Sequence, residues 1–191
     1  MLKKGFTLAE ILISMGVIGV VSAMVIPKVT TNVEKNETGL KVAKTVEQVE
    51  VACRNYLMID PNHQYFLLSE KLPSTATKSS TRAQALSRYI GIGSNTKTTS
   101  IDADDGIELS GTGEDKYVIA YVIDTNGTDI KPNKQGRDKF IFYLNNSCRM
   151  IPYGVDDMKY RTDCNPSATG GITDYKTCAA RLVKDGYKIK Y

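Results

Sequence analysis

The chain has 191 residues, which is enough for one globular domain with an appendage and too few for two large enzyme domains. Its 41% hydrophobic and 24% charged residues, with a mean hydropathy of -0.26, exclude a polytopic membrane protein and a disordered chain. A net charge of +4 is too small to indicate a nucleic-acid partner. The single histidine, His63, follows Pro61 and is expected in a loop, so a histidine-based metal site or catalytic relay is not expected.

The amino terminus carries an apolar segment from Phe6 to Ile26, which Pro27 ends. These 21 residues contain one charge, Glu10, and would form a helix of about 31 Å, close to the thickness of a bilayer's hydrocarbon core. Lys3 and Lys4 precede the segment and predict that the amino end is cytoplasmic. The rest of the chain is therefore expected to be exported.

Three interpretations of this segment differ in what they require of Glu10. A carboxylate inside an apolar span costs roughly 2.5–3.5 kcal/mol on insertion, which speaks against a disposable signal peptide and against an inert anchor. A third interpretation supplies a partner for the charge. If the chain is cut between Gly5 and Phe6, the new α-amino group of one chain can neutralise Glu10 of another.

The residues from Lys3 to Ile13 resemble the cleavage and methylation motif of the type IV prepilin family, which includes type IV pilins and the pseudopilins of type II secretion systems. The resemblance implies that a prepilin peptidase cuts between Gly5 and Phe6 and N-methylates Phe6. It implies that Glu10 acts in assembly and that Pro27 perturbs the helix. The partners it implies are the peptidase, other pilin or pseudopilin subunits and an inner-membrane assembly platform.

Apolar residues continue at helical intervals after Pro27, and they predict one helix from about Phe6 to Ile59. Pro27 and Gly39 are the positions where we expect local kinking or melting. The continuing stripe either packs in the core or forms a coiled coil with a separate partner; its members are Val29, Val33, Leu40, Ala43, Val46, Val49, Cys53 and Tyr56.

Beyond Pro61 the chain divides into short segments. Polar loops are expected at 73–81 and 93–100, around a short helix near 82–90. Strands are predicted at 106–110, 116–124 and 139–144, and a last helix at 174–184 is stopped by Gly186 before a terminal strand at 187–191. The predicted fold is α+β and pilin-like: a long amino-terminal helix packed on a small antiparallel sheet.

Four cysteines on the exported side favour disulfides, although free buried thiols remain open. Of the three possible pairings, we favour Cys164 with Cys178, which ties a loop to the last helix. Cys53 would then join the long helix to Cys148 at the end of a strand.

The segment containing Asp124, Asn126 and Asp129 resembles a loop of some prepilin-like proteins, and certain pseudopilins hold calcium in a carboxy-terminal loop. No EF-hand spacing is present, and Asp-x-Asn-Gly is also a good turn sequence. A plain turn is the expectation, calcium is the alternative, and no other cofactor is expected.

The resemblance implies a structural subunit of a type IV pilus or type II secretion pseudopilus and not an enzyme. It implies a single-pass inner-membrane protein that enters a periplasmic or cell-surface filament. The expected organisation is a cleaved leader at 1–5, an assembly helix at 6–26, its amphipathic continuation at 27–59 and an exported domain at 60–191. The alternative is a membrane-tethered exported binding or hydrolytic domain, and a mature chain starting at Phe6, Met24 or Met1 discriminates among the interpretations.

Overall fold

The computed structural model of the chain describes residues 5–59, 83, 86–87, 89–91, 98–103, 117–156, 159–160, 164 and 177–191. Helix α1 covers Leu8–Ile59 and helix α2 covers Cys178–Lys184. The strands are β1 (Ser100–Ala103), β2 (Tyr117–Asp124), β3 (Lys139–Asn145), β4 (Met150–Pro152), β5 (Val155–Asp156) and β6 (Lys159–Tyr160). The predicted α+β class is confirmed.

The sheet is an antiparallel meander in which β1, β2, β3 and β4 lie side by side in chain order. Tyr121 of β2 lies opposite Phe142 of β3, and an irregularity in register separates Tyr117 from Ile119. Strands β5 and β6 form a separate antiparallel pair. Because β2 and β3 are rich in β-branched and aromatic residues, they suit the centre of a sheet with two covered faces.

The main core lies between one face of the sheet and the upper half of α1. Alternate residues along each central strand face the helix, as the two-residue period of a strand requires. The core includes Val42, Val46, Val49, Cys53 and Tyr56 of α1 with Ile119, Tyr121, Ile123, Phe140, Phe142 and Leu144 of the sheet. A smaller cluster on the other face contains Ala120, Ile141 and Tyr143.

The long helix has the predicted extent, but only part of the predicted stripe is buried. Val46, Val49, Cys53 and Tyr56 are core residues, as core packing predicts. Leu40 is 68% exposed, because the helical face that meets the domain passes through Gly39 and Val42 instead. Val29 and Val33 are also exposed, since they precede the first buried residue of α1.

The carboxy-terminal strand predicted at 187–191 is wrong: these residues have no strand structure and lie along α1. The way in which α2 ends explains why residues 187–191 run along α1. Gly186 has φ +65°, its N–H donates to the Val183 carbonyl at 3.0 Å, and the Tyr187 N–H donates to the Leu182 carbonyl at 2.8 Å. This is the Schellman pattern that ends helices at a left-handed residue, and it turns the chain toward α1 instead of the sheet.

The remaining predictions have mixed outcomes. Strand 116–124 is found as β2 from Tyr117, and strand 139–144 as β3, one residue longer. The loop prediction for 93–100 is wrong at Ser100, which is buried in β1 opposite Asp124. Residues 83, 86–87 and 89–90 are helical, as predicted. His63, the loop 73–81, the strand 106–110 and the helix start at 174–176 lie outside the described residues.

Candidate assembly segment

The first part of α1 presents apolar side chains that the domain does not cover. Phe6 is 84% exposed, and no residue from 5 to 34 is buried. The segment is long and apolar enough to cross a membrane. Its exposed large apolar side chains include Leu8, Ile11, Leu12, Ile13, Met15, Val17, Ile18, Val20, Val21, Met24, Val25 and Ile26. A continuous apolar surface of this length needs lipid or other helices around it.

Thr7 and Glu10 together cap the beginning of α1. The Glu10 Oε2 atom accepts from the Thr7 N–H and from the Thr7 hydroxyl, both at 2.8 Å, while the Glu10 N–H donates to Thr7 Oγ1 at 3.3 Å. This reciprocal pair is a capping box, which satisfies amide groups that a helix start leaves without partners. The carboxylate of Glu10 therefore has a partner within its own chain.

Thr7 is not among the residues for which a role was predicted. Thr-x-x-Glu directly before an apolar run is a known helix-start signature, so the signal was present in Thr7 and Glu10. The pair also survives the expected cut, because the Thr7 N–H belongs to the peptide bond with Phe6. Capping by Thr7 thus does not depend on Gly5 or the residues before it.

The expected cleavage site lies just outside the helix. Gly5, Phe6 and Thr7 have no helical structure, and α1 begins at Leu8. A Cβ added at Gly5 would meet no heavy atom within 4 Å. The bond between Gly5 and Phe6, where the cut is predicted, therefore lies in an exposed, non-helical piece of the chain.

At Pro27 the helix continues without interruption in α1. Two hydroxyls follow it: Thr30 Oγ1 donates to the Ile26 carbonyl at 2.9 Å, and Thr31 Oγ1 donates to the Pro27 carbonyl at 2.6 Å. Such bonds to the preceding turn are associated with helix bending. Bending at Pro27 remains a prediction.

Two disulfides hold the domain, in the pairing that the sequence analysis favours. Cys53 of α1 is bonded to Cys148 in the turn between β3 and β4, and Cys164 is bonded to Cys178 at the start of α2. The Met150 N–H also donates to Glu50 Oε1 at 2.9 Å. The upper end of α1 is therefore fixed to the sheet by a covalent bond and a hydrogen bond.

The loop with Asp124, Asn126 and Asp129 is arranged as a turn. Asp124 Oδ1 accepts from the N–H groups of Asn126 at 3.2 Å and Gly127 at 2.9 Å, and its other oxygen lies 3.5 Å from Lys139 Nζ. Asp129 is exposed. Among the described residues, no group of three or more His, Cys, Asp or Glu side chains could hold a metal ion. The geometry supports the plain-turn interpretation of this loop.

A cleft of about 580 Å³ lies where α1 meets the β2–β3 loop (residues 125–138) and the carboxy-terminal segment (residues 187–191). Lys35 Nζ donates to the main-chain oxygen of Tyr191 at 2.8 Å, and the Arg181 guanidinium lies 4.8 Å from the centre of the Tyr191 ring. Burial raises the pKa of the Tyr191 phenol. The carboxy-terminal segment is thus held to α1 close to the cleft.

These features define a class of protein: a small α+β domain carried on a long helix whose lower half is apolar and uncovered. Residues 1–26 match the family model described as the prokaryotic N-terminal methylation motif, the signature of type IV prepilins and pseudopilins. The motif and the apolar helix fit a type IV pilin-like or pseudopilin-like precursor. Comparisons with curated proteins and with solved structures found no match.

Proposed function

We propose that this protein is a structural subunit of a type IV pilus or a type II secretion pseudopilus. A prepilin peptidase removes residues 1–5 and methylates Phe6. Residues 6–26 then hold the subunit in the inner membrane, with residues 27–59 and the domain from residue 60 exported. An assembly platform transfers the subunit into a filament, where its apolar helix packs against other subunits.

The observation that carries the proposal is the methylation motif placed at the start of an uncovered apolar helix. An anchor requires only the apolar run, whereas the motif adds a defined cut and a carboxylate five residues beyond it. In the described part of the chain, no residue of α1 before Lys35 is buried by the domain, except that Ser22 is partly covered, so the lower helix is available to other helices. Both properties suit a subunit that moves from lipid into a bundle of identical helices.

Mass spectrometry of the amino-terminal peptide from membrane fractions tests the processing step. We expect a mature chain that begins with N-methylated Phe6. Gly5→Val should leave the precursor uncut, because a site that admits glycine has little room for a branched Cβ. A mature chain beginning at Met24 would indicate a signal peptide, and one beginning at Met1 an uncut anchor, and either result would contradict the proposal.

Glu10→Leu tests the assembly step. The proposed ion pair joins Glu10 to the α-amine of Phe6 in a neighbouring subunit, and losing one partner of a desolvated pair costs roughly 3–5 kcal/mol. The variant should be processed and accumulate in the membrane, yet yield no sheared filaments. If Glu10→Leu forms normal filaments, Glu10 is not part of the assembly contact.

Glu10→Gln separates the two roles of this side chain. Its amide oxygen can still accept from the Thr7 N–H, so the capping box is kept while the negative charge is lost. If the charge is what assembly needs, Glu10→Gln fails as Glu10→Leu does. Assembly by Glu10→Gln but not by Glu10→Leu would assign the role of Glu10 to capping and overturn the ion pair.

A further inference from the structure

The β2–β3 loop carries three exposed cationic side chains, Lys131, Lys134 and Arg137. None of them forms an ion pair within the described part of the chain. Asp138, the buried acid of the same loop, is hydrogen-bonded to the main chain. Its two oxygens accept from the N–H groups of Asn133 and Lys134, both at 2.6 Å. The loop therefore carries three cationic side chains against two acids, Asp129 and Asp138, which leaves a net charge of +1.

The acidic side chains around the loop offset only part of this charge. Glu37 is paired with Lys41 at 2.9 Å, and Asp185 with Lys190 at 3.4 Å. Glu34 and Asp129 are exposed acids. Lys28 and Lys188 add exposed cations on α1 and on the carboxy-terminal segment. The face as a whole remains basic.

This basic face lies at the end of the domain nearest the apolar segment. Lys131 and Arg137 line the cleft together with Thr31, which is the lowest residue of α1 in that cleft. At 1.5 Å per residue, Thr31 lies about 8 Å beyond Ile26, the last residue of the apolar run. Headgroups extend roughly 5–7 Å beyond the hydrocarbon core, and the Debye length at physiological salt is about 8 Å. The lower edge of the cleft that Lys131 and Arg137 line therefore lies within electrostatic reach of the lipid surface.

We propose that the face formed by Lys131, Lys134 and Arg137 docks on anionic phospholipid headgroups of the leaflet from which α1 emerges. Docking sets the tilt of the domain while the subunit is in the membrane and is lost when the subunit leaves it. The proposal rests on the proposed function in one respect, that residues 6–26 span the bilayer. Lys and Arg side chains on the cytoplasmic side of a membrane span are drawn to anionic lipid, and the same charge attraction acts on the exported side where that leaflet carries anionic headgroups.

The test uses the full chain in nanodiscs and a fluorophore on Thr128→Cys, an exposed loop position in a chain whose own cysteines are all paired. Quenching by lipids labelled on the headgroup reports docking. Quenching should be strong in discs with 30% phosphatidylglycerol, weak in phosphatidylcholine alone, and reduced by added salt. The triple variant Lys131→Gln, Lys134→Gln, Arg137→Gln should lower the ratio of docked to undocked protein by roughly a hundredfold, about fivefold for each cation.

Arg149→Gln is the matched control. Arg149 is an exposed cation beside Cys148, whose disulfide partner Cys53 lies 22 residues, or about 33 Å, farther along α1 than Thr31. This variant should dock as the parent does. Equal quenching in neutral and anionic discs, or an unchanged triple variant, would overturn the proposal, as would loop-dependent binding of a DNA duplex without binding to anionic discs.

A second label separates failure of docking from failure of the membrane assignment. A fluorophore on Ile18→Cys should be quenched by acyl-chain quenchers in every preparation. If it is not, residues 6–26 do not span the bilayer and the proposed function itself fails. If it is quenched while Thr128→Cys shows no lipid dependence, only the docking proposal is overturned.

Discussion

Gly39 allows the carboxy-terminal segment to lie against α1, and replacing it with alanine tests that contact. Gly39 is a buried helical residue, and a Cβ added there would overlap the main-chain oxygen of Tyr187 and lie 3.0 Å from its carbonyl carbon. The obstacle is backbone, which cannot rotate away as a side chain could. Tyr187 is further held by its hydrogen bond to the Leu182 carbonyl at 2.8 Å.

Two opposing effects decide the sign of the change in stability. In an exposed helix, Gly→Ala stabilises by about 1 kcal/mol, because alanine loses less backbone entropy on folding. Overpacking at a close contact costs typically 1–3 kcal/mol. Since the clash at Gly39 is with fixed backbone, we expect the steric cost to win and Gly39→Ala to destabilise the domain by about 1–2 kcal/mol.

Urea unfolding of the full chain in detergent micelles measures the effect. The control is the same substitution in a chain that lacks residues 187–191, where the clash is absent and Gly39→Ala should stabilise by about 1 kcal/mol. The two results give a coupling of roughly 2–3 kcal/mol between Gly39 and the segment. Stabilisation by Gly39→Ala in the complete chain would refute the reasoning, because helix propensity alone would then explain the result.

Two further predictions concern the core and the disulfides. Tyr121 is buried and its hydroxyl has no hydrogen-bond partner in the described structure, so Tyr121→Phe should stabilise the domain by about 1–3 kcal/mol at neutral pH. Burial raises the pKa of Tyr121, so above about pH 10 the folded chain keeps a proton that the unfolded chain loses. The free energy of unfolding should therefore fall as the pH rises above about 10, and it should fall less in Tyr121→Phe. Urea unfolding midpoints measured across this pH range test both statements. Removing Cys53–Cys148, which spans 95 residues, should cost roughly 1–2 kcal/mol more than removing Cys164–Cys178, which spans 14, and equal losses would contradict the loop-entropy account.

The parts of the fold that follow from local pattern could be predicted from the sequence. Apolar spacing gave the extent of α1, and β-branched runs gave β2 and β3 nearly to the residue. Gly186 marked the end of α2, because a left-handed residue after a helix is most often glycine. Each of these signals comes from residues that are close to one another in the sequence.

The parts that depend on distant contacts could not be predicted in this way. Residues 187–191 alternate as a strand does, and Ile189 and Tyr191 are indeed partly buried, but they pack beside α1 and pair with no strand of the described residues. Gly39 was predicted only as a weak point in the helix. Its contact with Tyr187 could not be predicted, because Tyr187 lies almost 150 residues away in the sequence. Strand β1 was missed for a similar reason: Ser100 is polar and becomes buried only through its pairing with β2.

The arrangement of contacts along α1 is compatible with the proposal that its lower part moves from lipid into a filament. Every buried residue of α1 lies between Gly39 and Tyr56, so moving residues 6–34 from lipid to a bundle of helices breaks no contact in the described core. The carboxy-terminal segment meets α1 at Lys35 and Gly39, and the sheet is joined to α1 at Glu50 and Cys53. In the proposed assembly step, a pull along the helix would therefore act on the domain through both the carboxy-terminal segment and the sheet. On the proposed function, the described core would keep its contacts when the surroundings of the lower helix change from lipid to other helices.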